Sequence, residues 1–201
     1  FKEGIQMKIC PFCNEAFDGL VPYCSSCSAN IEIIRKTFFI DSFERLYSIV
    51  YYNDFFREHL FNYKFGMQKK YLSALAYLFE EEIKNIMIDE KIDYIASVPM
   101  NEEKLRKKGF DHMGEIVKII SKDMGLKLYT YKKLQARDMH KLSYSERAHM
   151  KGIFQKSADA SGNVLIIDDI ITTGTTMKDS ARVMKDAGFE KIFGLILCSR
   201  R

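Results

Sequence analysis

No stretch of the chain approaches the roughly 18 uncharged apolar residues of a membrane helix, and Phe1-Lys2-Glu3-Gly4 opens no apolar leader. The sequence therefore predicts neither a membrane span nor a signal peptide, and a cytoplasmic protein is expected. A first residue of Phe suggests that the sequence begins upstream of, or without, its natural start, with Met7 a candidate initiator. Two nucleotide-binding signatures are also missing. There is no Gly-x-x-x-x-Gly-Lys-Ser/Thr, which excludes a P-loop, and no Gly-x-Gly-x-x-Gly behind a strand, which excludes a dinucleotide fold. Charge of one sign is in short supply: a formal +4 is too small for composition alone to announce a polyanionic partner. Internal repeats and low-complexity segments are absent. What is plentiful is apolar residues, 47% of 201, enough for one α/β domain and a small appendage.

The most informative stretch is Val164-Leu-Ile-Ile-Asp168-Asp169-Ile-Ile-Thr172-Thr173-Gly174-Thr175-Thr176. Four apolar residues without alternation suit a parallel strand covered on both faces, and the acid pair marks where it leaves the sheet. Ligands of open α/β sheets bind at such carboxyl ends. Ionised carboxylates only accept, so Asp168 and Asp169 suit vicinal sugar hydroxyls or a Mg2+ held through water. Gly174 removes the Cβ that would keep an oxyanion off the backbone. The amides and hydroxyls of Thr172, Thr173, Gly174, Thr175 and Thr176 then face a phosphate at the positive end of a helix predicted from about Thr175 to Ala187. A solvated turn with an ordinary helix cap competes for any single Thr-Gly-Thr. Contiguity of strand, acids and loop favours the ligand site, and the run resembles the ribose-phosphate signature of type I phosphoribosyltransferases.

Four of the five cysteines form Cys10-Pro-Phe-Cys13 and Cys24-Ser-Ser-Cys27. Each Cys-x-x-Cys knuckle turns two thiolates toward one point, so two knuckles close a four-thiolate structural Zn2+ site. A disulfide pair is disfavoured in a cytosolic chain, and a redox motif by the lack of a flanking βαβ pattern. Because metal binding and folding couple locally, Cys13→Ser is expected to loosen this module and leave the α/β domain folded. Cys198, alone in an apolar strand from Ile192, reads as a small core residue.

Elsewhere the pattern predicts a strand within Phe43–Tyr52, a helix from about Asp54 to Phe65, and an amphipathic helix carrying Leu75, Phe79, Ile83 and Ile86. A strand from Ile92 to Val98 stops at Pro99, a helix runs from about Asp111 to Met124, and a short strand spans Leu126 to Tyr131. The fold expected is an open, mostly parallel α/β sheet of the type I phosphoribosyltransferase kind. A zinc-knuckle module would occupy residues 1–36, and the α/β domain 37–201, with a mobile insertion near 133–162. Positive charge is locally dense at Lys104-Leu-Arg106-Lys107-Lys108. It recurs at Lys132, Lys133, Arg137, Lys141, Arg147 and Lys151, near His140, His149, Tyr131 and Tyr144. A solvated helix face is the bland explanation of such runs.

Knuckles and sugar-phosphate signature together resemble the ComF family, whose competence-associated members join a zinc module to a phosphoribosyltransferase domain. Tyr63-Lys64-Phe65-Gly66 is similar to its lysine-containing segment. Val98-Pro99-Met100 followed by Arg106 to His112 resembles its proline strand end and basic Arg-Gly-Phe-Asn-Gln segment, read here as Lys108-Gly109-Phe110-Asp111-His112. Leu142 to Arg147 and Lys151 to Phe154 resemble its mobile region, with Met150 where Asn is expected. The resemblance implies binding of 5-phosphoribosyl 1-diphosphate with Mg2+, the diphosphate lying at Pro99, Met100, Lys104, Arg106 and Lys108. It further implies support of single-stranded DNA uptake in natural competence, with weak electrostatic DNA contacts from the basic segments, other competence proteins as partners, and Tyr131 or Tyr144 stacking on bases if exposed. The alternative is an active phosphoribosyltransferase with an unidentified acceptor. Thr172 stands where purine-salvage relatives carry an acid, which argues against a purine base.

Overall fold

A computed structural model describes residues 7–133, 153–171 and 173–199, without the side chains of Lys104 and Lys108. Thr172, the side chains of those two lysines, and Arg137, His140, Lys141, Tyr144, Arg147, His149, Met150 and Lys151 lie outside the described residues, as does most of the expected insertion.

The run Val164–Ile167 is the buried middle of β9 (Asn163–Ile170). It is apolar on both faces because the sheet is covered on both. Parallel to β9 run β10 (Lys191–Ser199) on one side and β5 (Tyr94–Ser97) on the other, with Ile166 level with both Gly194 and Ala96. Next to β10 lies β4 (Arg45–Tyr51), also parallel, and β6 (Lys127–Leu128) extends the sheet beyond β5. The six-stranded order is β3-β4-β10-β9-β5-β6, and only β3 (Ile33–Phe38) is antiparallel to its neighbour. The α/β class with a mostly parallel sheet is thus present, and the expected boundary between residues 36 and 37 falls inside β3.

Alternation along β9 sorts its side chains between two cores. Leu165 and Ile167 pack with α3 (Leu72–Asp89) and α5 (His112–Met124), through Leu75, Phe79, Ile83, Ile116 and Ile120. Val164 and Ile166 pack with Met177, Ala181 and Met184 of α6 (Thr175–Ala187) on the other face. The helix ends follow local chemistry. Asp111 caps α5 by accepting from the Gly114 amide at 3.0 Å, and Gly125 ends it at a φ of 69° that favours glycine. α2 (Asp54–Lys64) starts one turn of chain after β4, its first amides met by the Asn53 side chain, which accepts from Phe56 N at 3.0 Å. A short helix, α4 (Glu102–Lys108), follows Pro99.

The strand expected over Leu126–Tyr131 is divided. β6 stays with the main sheet, whereas β7 (Tyr131–Lys133) turns away to pair antiparallel with β8 (Phe154–Lys156). Tyr129 sits at the division, its ring buried and its hydroxyl donating to Ala158 O at 2.7 Å. The β7–β8 ladder rests on α6, where Arg182 donates to Phe154 O and Asp179 accepts from Ile153 N.

The cysteine knuckles frame β1 (Lys8–Ile9), β2 (Ala16–Phe17) and α1 (Ser25–Ser28). They do not stand apart. Phe12, inside the first knuckle, inserts among Phe55, His59 and Tyr71 at ring-centroid distances of 5.1, 5.0 and 5.8 Å. Cys10, Phe12 and Cys27 belong to the same continuous core as Leu75 and Leu165.

Candidate functional site

The Sγ atoms of Cys10, Cys13, Cys24 and Cys27 all lie within 4.8 Å of one another. Zn–S bonds of about 2.3 Å in a tetrahedron separate sulfurs by roughly 3.8 Å, and Cys13 Sγ and Cys24 Sγ are 3.7 Å apart. The Cys24 amide donates to Cys10 Sγ and the Cys27 amide to Cys24 Sγ, at 3.5 and 3.4 Å. Burial raises the Cys10 thiol, but amides from Cys24, Cys13 and Phe12 outweigh it and bring it down to about 6. Soft donors, spacing and N–H support all fit a closed four-thiolate site, so the four cysteines can hold a zinc ion. Cys198 is fully buried in β10, as a core residue should be.

Parallel strands bring their carboxyl ends to one edge. There Asp168 and Asp169 are still within β9, so they project to opposite faces of the sheet. Asp169 is 4% exposed and faces α2 and α5. Its Oδ2 meets Lys64 Nζ at 2.6 Å and His112 Nε2 at 2.7 Å. Burial opposes ionisation, but the hydrogen bond from His112 and the Lys64 charge hold this carboxyl below the usual range. Tyr63 fixes the backbone at His112 by donating to its carbonyl at 2.6 Å. His112 Nδ1 is buried and has no partner among the described residues. Asp168 lies on the α6 face, accepting the Asp169 amide at 2.9 Å. Burial, then the neighbouring Asp169 charge, pushes its carboxyl up to about 7.

One turn on, Gly174 adopts φ 74° and opens α6. A Cβ there would meet Ile171 and Ile40 only at ordinary contact distances, so the left-handed backbone rather than crowding calls for glycine. Gly174 has no side chain to cap α6, no acid occupies its first turn, and among the described residues only Thr173 Oγ1 approaches an amide there, that of Thr175, at a long 3.5 Å. Its amide end is thus a positive pole with no acid in its own first turn to offset it. Thr173 and Thr175 hydroxyls lie 3.1 Å apart beside it. A cleft of about 480 Å3 opens over this end, lined by Ser42, Thr175, Thr176, Lys178 and Arg182 among others.

Pro99 follows β5 and borders a separate hollow of about 150 Å3 with Ser97, Asp111 and Thr130. Met100 leads into α4, whose first turn is capped by Asn101 accepting from Glu103 N at 2.9 Å. Arg106 and Lys107 pair one turn back with Glu102 and Glu103, at 3.5 and 2.8 Å. Both are surface pairs, which hold their partners weakly. Tyr131 is 5% exposed and is thereby removed from the expected base-stacking residues, because its ring is core to the β7–β8 ladder.

A phosphoribosyl transferase domain matches residues 131–201. Competence protein ComFC of Bacillus subtilis (strain 168) is 24% identical over 182 residues, covering 90% of this chain and 72% of that protein. The chain thus resembles a ComF protein and matches a phosphoribosyl transferase domain over its last third. Among solved structures, an adenine phosphoribosyltransferase is 16% identical with a TM-score of 0.43, covering 69% of this chain and 75% of that one. The adenine phosphoribosyltransferase of Saccharomyces cerevisiae, complexed with an imino-altritol bisphosphate and adenine, is 14% identical with a TM-score of 0.45, covering 88% and 89%. No helix of the chain, among the described residues, is long and apolar enough to cross a membrane. Lys64 and His112 both fall in segments of ComF resemblance. Nothing in the sequence alone joins either to Asp169, since contact across 57 residues or more leaves no local pattern.

Proposed function

We propose that the carboxyl edge of the sheet binds 5-phosphoribosyl 1-diphosphate with Mg2+, in a protein that supports uptake of single-stranded DNA during natural competence. One observation carries the ligand: an acid-free helix start opened by left-handed Gly174, its first amide met only by a neighbouring threonine hydroxyl, directly behind a strand that carries two acids near its end. The amides of Thr173, Gly174, Thr175 and Thr176 and the threonine hydroxyls receive the 5-phosphate. Asp168 accepts from the ribose hydroxyls. Pro99 and Met100 with the α4 cations Lys104, Arg106 and Lys108 take the diphosphate.

Asp168 and Asp169 point apart, and Asp169 already holds two donors on one oxygen. The donor set therefore fits a Mg2+ held through water by Asp168 and by ligand oxygens, the usual manner of this ion, rather than a two-carboxylate chelate. Bound there, Mg2+ supplies charge neutralisation at the diphosphate. Asp169 holds Lys64 and His112 at the mouth of the site. The competence role is supported by the likeness to a competence protein of Bacillus subtilis.

Titration calorimetry of 5-phosphoribosyl 1-diphosphate, with and without Mg2+, tests the site on Asp168→Asn. Losing a charge-assisted hydrogen bond costs about 1.5–3 kcal/mol, so affinity should fall roughly tenfold or more. Unchanged affinity would place the ligand elsewhere. Diphosphate release during the same titration separates an active transferase from a binding protein.

A further inference from the structure

Lys64 is the last residue of α2, and its ammonium lies 2.6 Å from Oδ2 of Asp169, with 22% of the lysine side chain exposed and 6% of the acid's. A buried ion pair is a poor source of stability, because the desolvation of both charges offsets their attraction. The pair therefore calls for a second duty. Among the described residues Asp169 is the one hydrogen-bonding partner of that ammonium, which leaves two of its three N–H groups to donate elsewhere. His112 donates to the same Oδ2 at 2.7 Å, so the carboxylate's pull is divided and the ammonium keeps charge for a ligand. Burial and the Asp169 charge raise the Asp168 carboxyl, and the Lys64 charge acts against both. The ammonium thus stands at the strand end, where its field reaches the acids on both faces of β9.

The packing of α2 fixes which end of a ligand this cation meets. Tyr63 donates to the His112 carbonyl at 2.6 Å, its ring meets Phe110 edge-on at 5.4 Å, and Lys69 Nζ lies 5.5 Å from the centre of the Phe110 ring. The end of α2 is thereby held against the residues that join α4 to α5. A ribose laid across the end of β9 with its 5-phosphate on the α6 face turns carbon 1 toward this opposite face. We propose that Lys64 binds the 1-diphosphate of the ligand and that Asp169 is the residue that positions it. The proposal rests on the reading of the site as one for 5-phosphoribosyl 1-diphosphate, and it adds to the α4 cations one that is held in place before the ligand arrives. A long side chain already ordered loses less freedom on binding, and a cation 22% exposed is screened less by salt than one on the surface.

Calorimetry with Mg2+ present compares 5-phosphoribosyl 1-diphosphate, inorganic diphosphate and ribose 5-phosphate on the parent and on Lys64→Met. The two diphosphate-bearing ligands should bind the variant roughly tenfold or more weakly, the loss expected of one charge-assisted hydrogen bond, and ribose 5-phosphate should bind both proteins alike. Lys64→Arg should recover most of the loss, because it restores a cation. Lys64→Met leaves a buried carboxylate without a charged donor, so a second variant, Lys64→Met with Asp169→Asn, removes that charge too. It should unfold in urea close to the parent and show the same selective loss. A weakening that is equal for ribose 5-phosphate would make Lys64 a structural residue and overturn the proposal. So would undiminished diphosphate affinity in both variants, with the reading of the site left standing. A parent that binds neither 5-phosphoribosyl 1-diphosphate nor ribose 5-phosphate would remove that reading, and the role of Lys64 with it.

Discussion

Asp168 and Asp169 differ by one position along β9 and by a whole face of the sheet, so their carboxyls meet different neighbours. Asp169 relies on Lys64 and His112. Replacing Lys64 with Met should destabilise the fold by about 1.5–3 kcal/mol, measured by urea unfolding, because a buried carboxylate loses a charged donor. That carboxyl titrates below its unfolded value, so its stabilisation is complete above the ordinary carboxylate range and lost as pH falls through the folded value. The cost of Lys64→Met should therefore be full at neutral pH and fade in acid. For Asp168 the sign is reversed. Its folded value near 7 lies above the unfolded one, so the stabilisation of the neutral form is complete below roughly pH 4 and lost as pH rises through 7. Binding through an ionised Asp168 should then strengthen from pH 6 to 8, and calorimetry should find that gain in the parent beyond whatever Asp168→Asn retains. A gain equal in both proteins would belong to the ligand alone. The acids, Gly174 and the threonines were legible in the sequence because they are contiguous. Their separation onto two faces was not, since it depends on β9 continuing through both acids before it ends.

At the level of elements, β9, α6, α5 and α2 lie close to where periodicity and capping residues put them, and the start of α2, both ends of α5 and both ends of α6 have local causes in Asn53, Asp111, Gly125, Gly174 and Gly188. What pattern could not show is docking. The Cys-Pro-Phe-Cys knuckle reads as a self-contained metal loop, yet its Phe12 is a wedge between α2 and Tyr71, the residue from which α3 starts. This revises the expectation that metal loss stays local. One Zn2+ per chain is expected from elemental analysis. Cys13→Ser, or chelation, should reduce hydrogen-exchange protection of α2 as well as of the knuckles, while β9, β10 and α6 keep theirs. Protection of α2 equal to that of the parent after metal loss would show that Phe12 stays seated without the ion.

For the molecule as a whole, the formal charge of +4 leaves local clusters to decide any polyanion contact. The α4 pairs are exposed and exchange readily for phosphate. Replacing Arg106, Lys107 and Lys108 by Ala should lower the logarithmic salt slope for single-stranded DNA by about 2, since each phosphate contact contributes roughly 0.7. An unaltered slope would make this segment a solvated face. The sheet order has a consequence for how the chain is made. β4 is complete at residue 51, yet its parallel partner is β10, with Val50 beside Cys198. Of the six strands described in this sheet, the central one is synthesised last. On the ribosome the early β3–β4 hairpin and the cysteine knuckles must therefore wait, with one flank of β4 unpaired, until residue 199 has emerged. A nascent chain stalled before residue 191 should be readily cleaved by protease throughout its first half, and one released after residue 199 should resist.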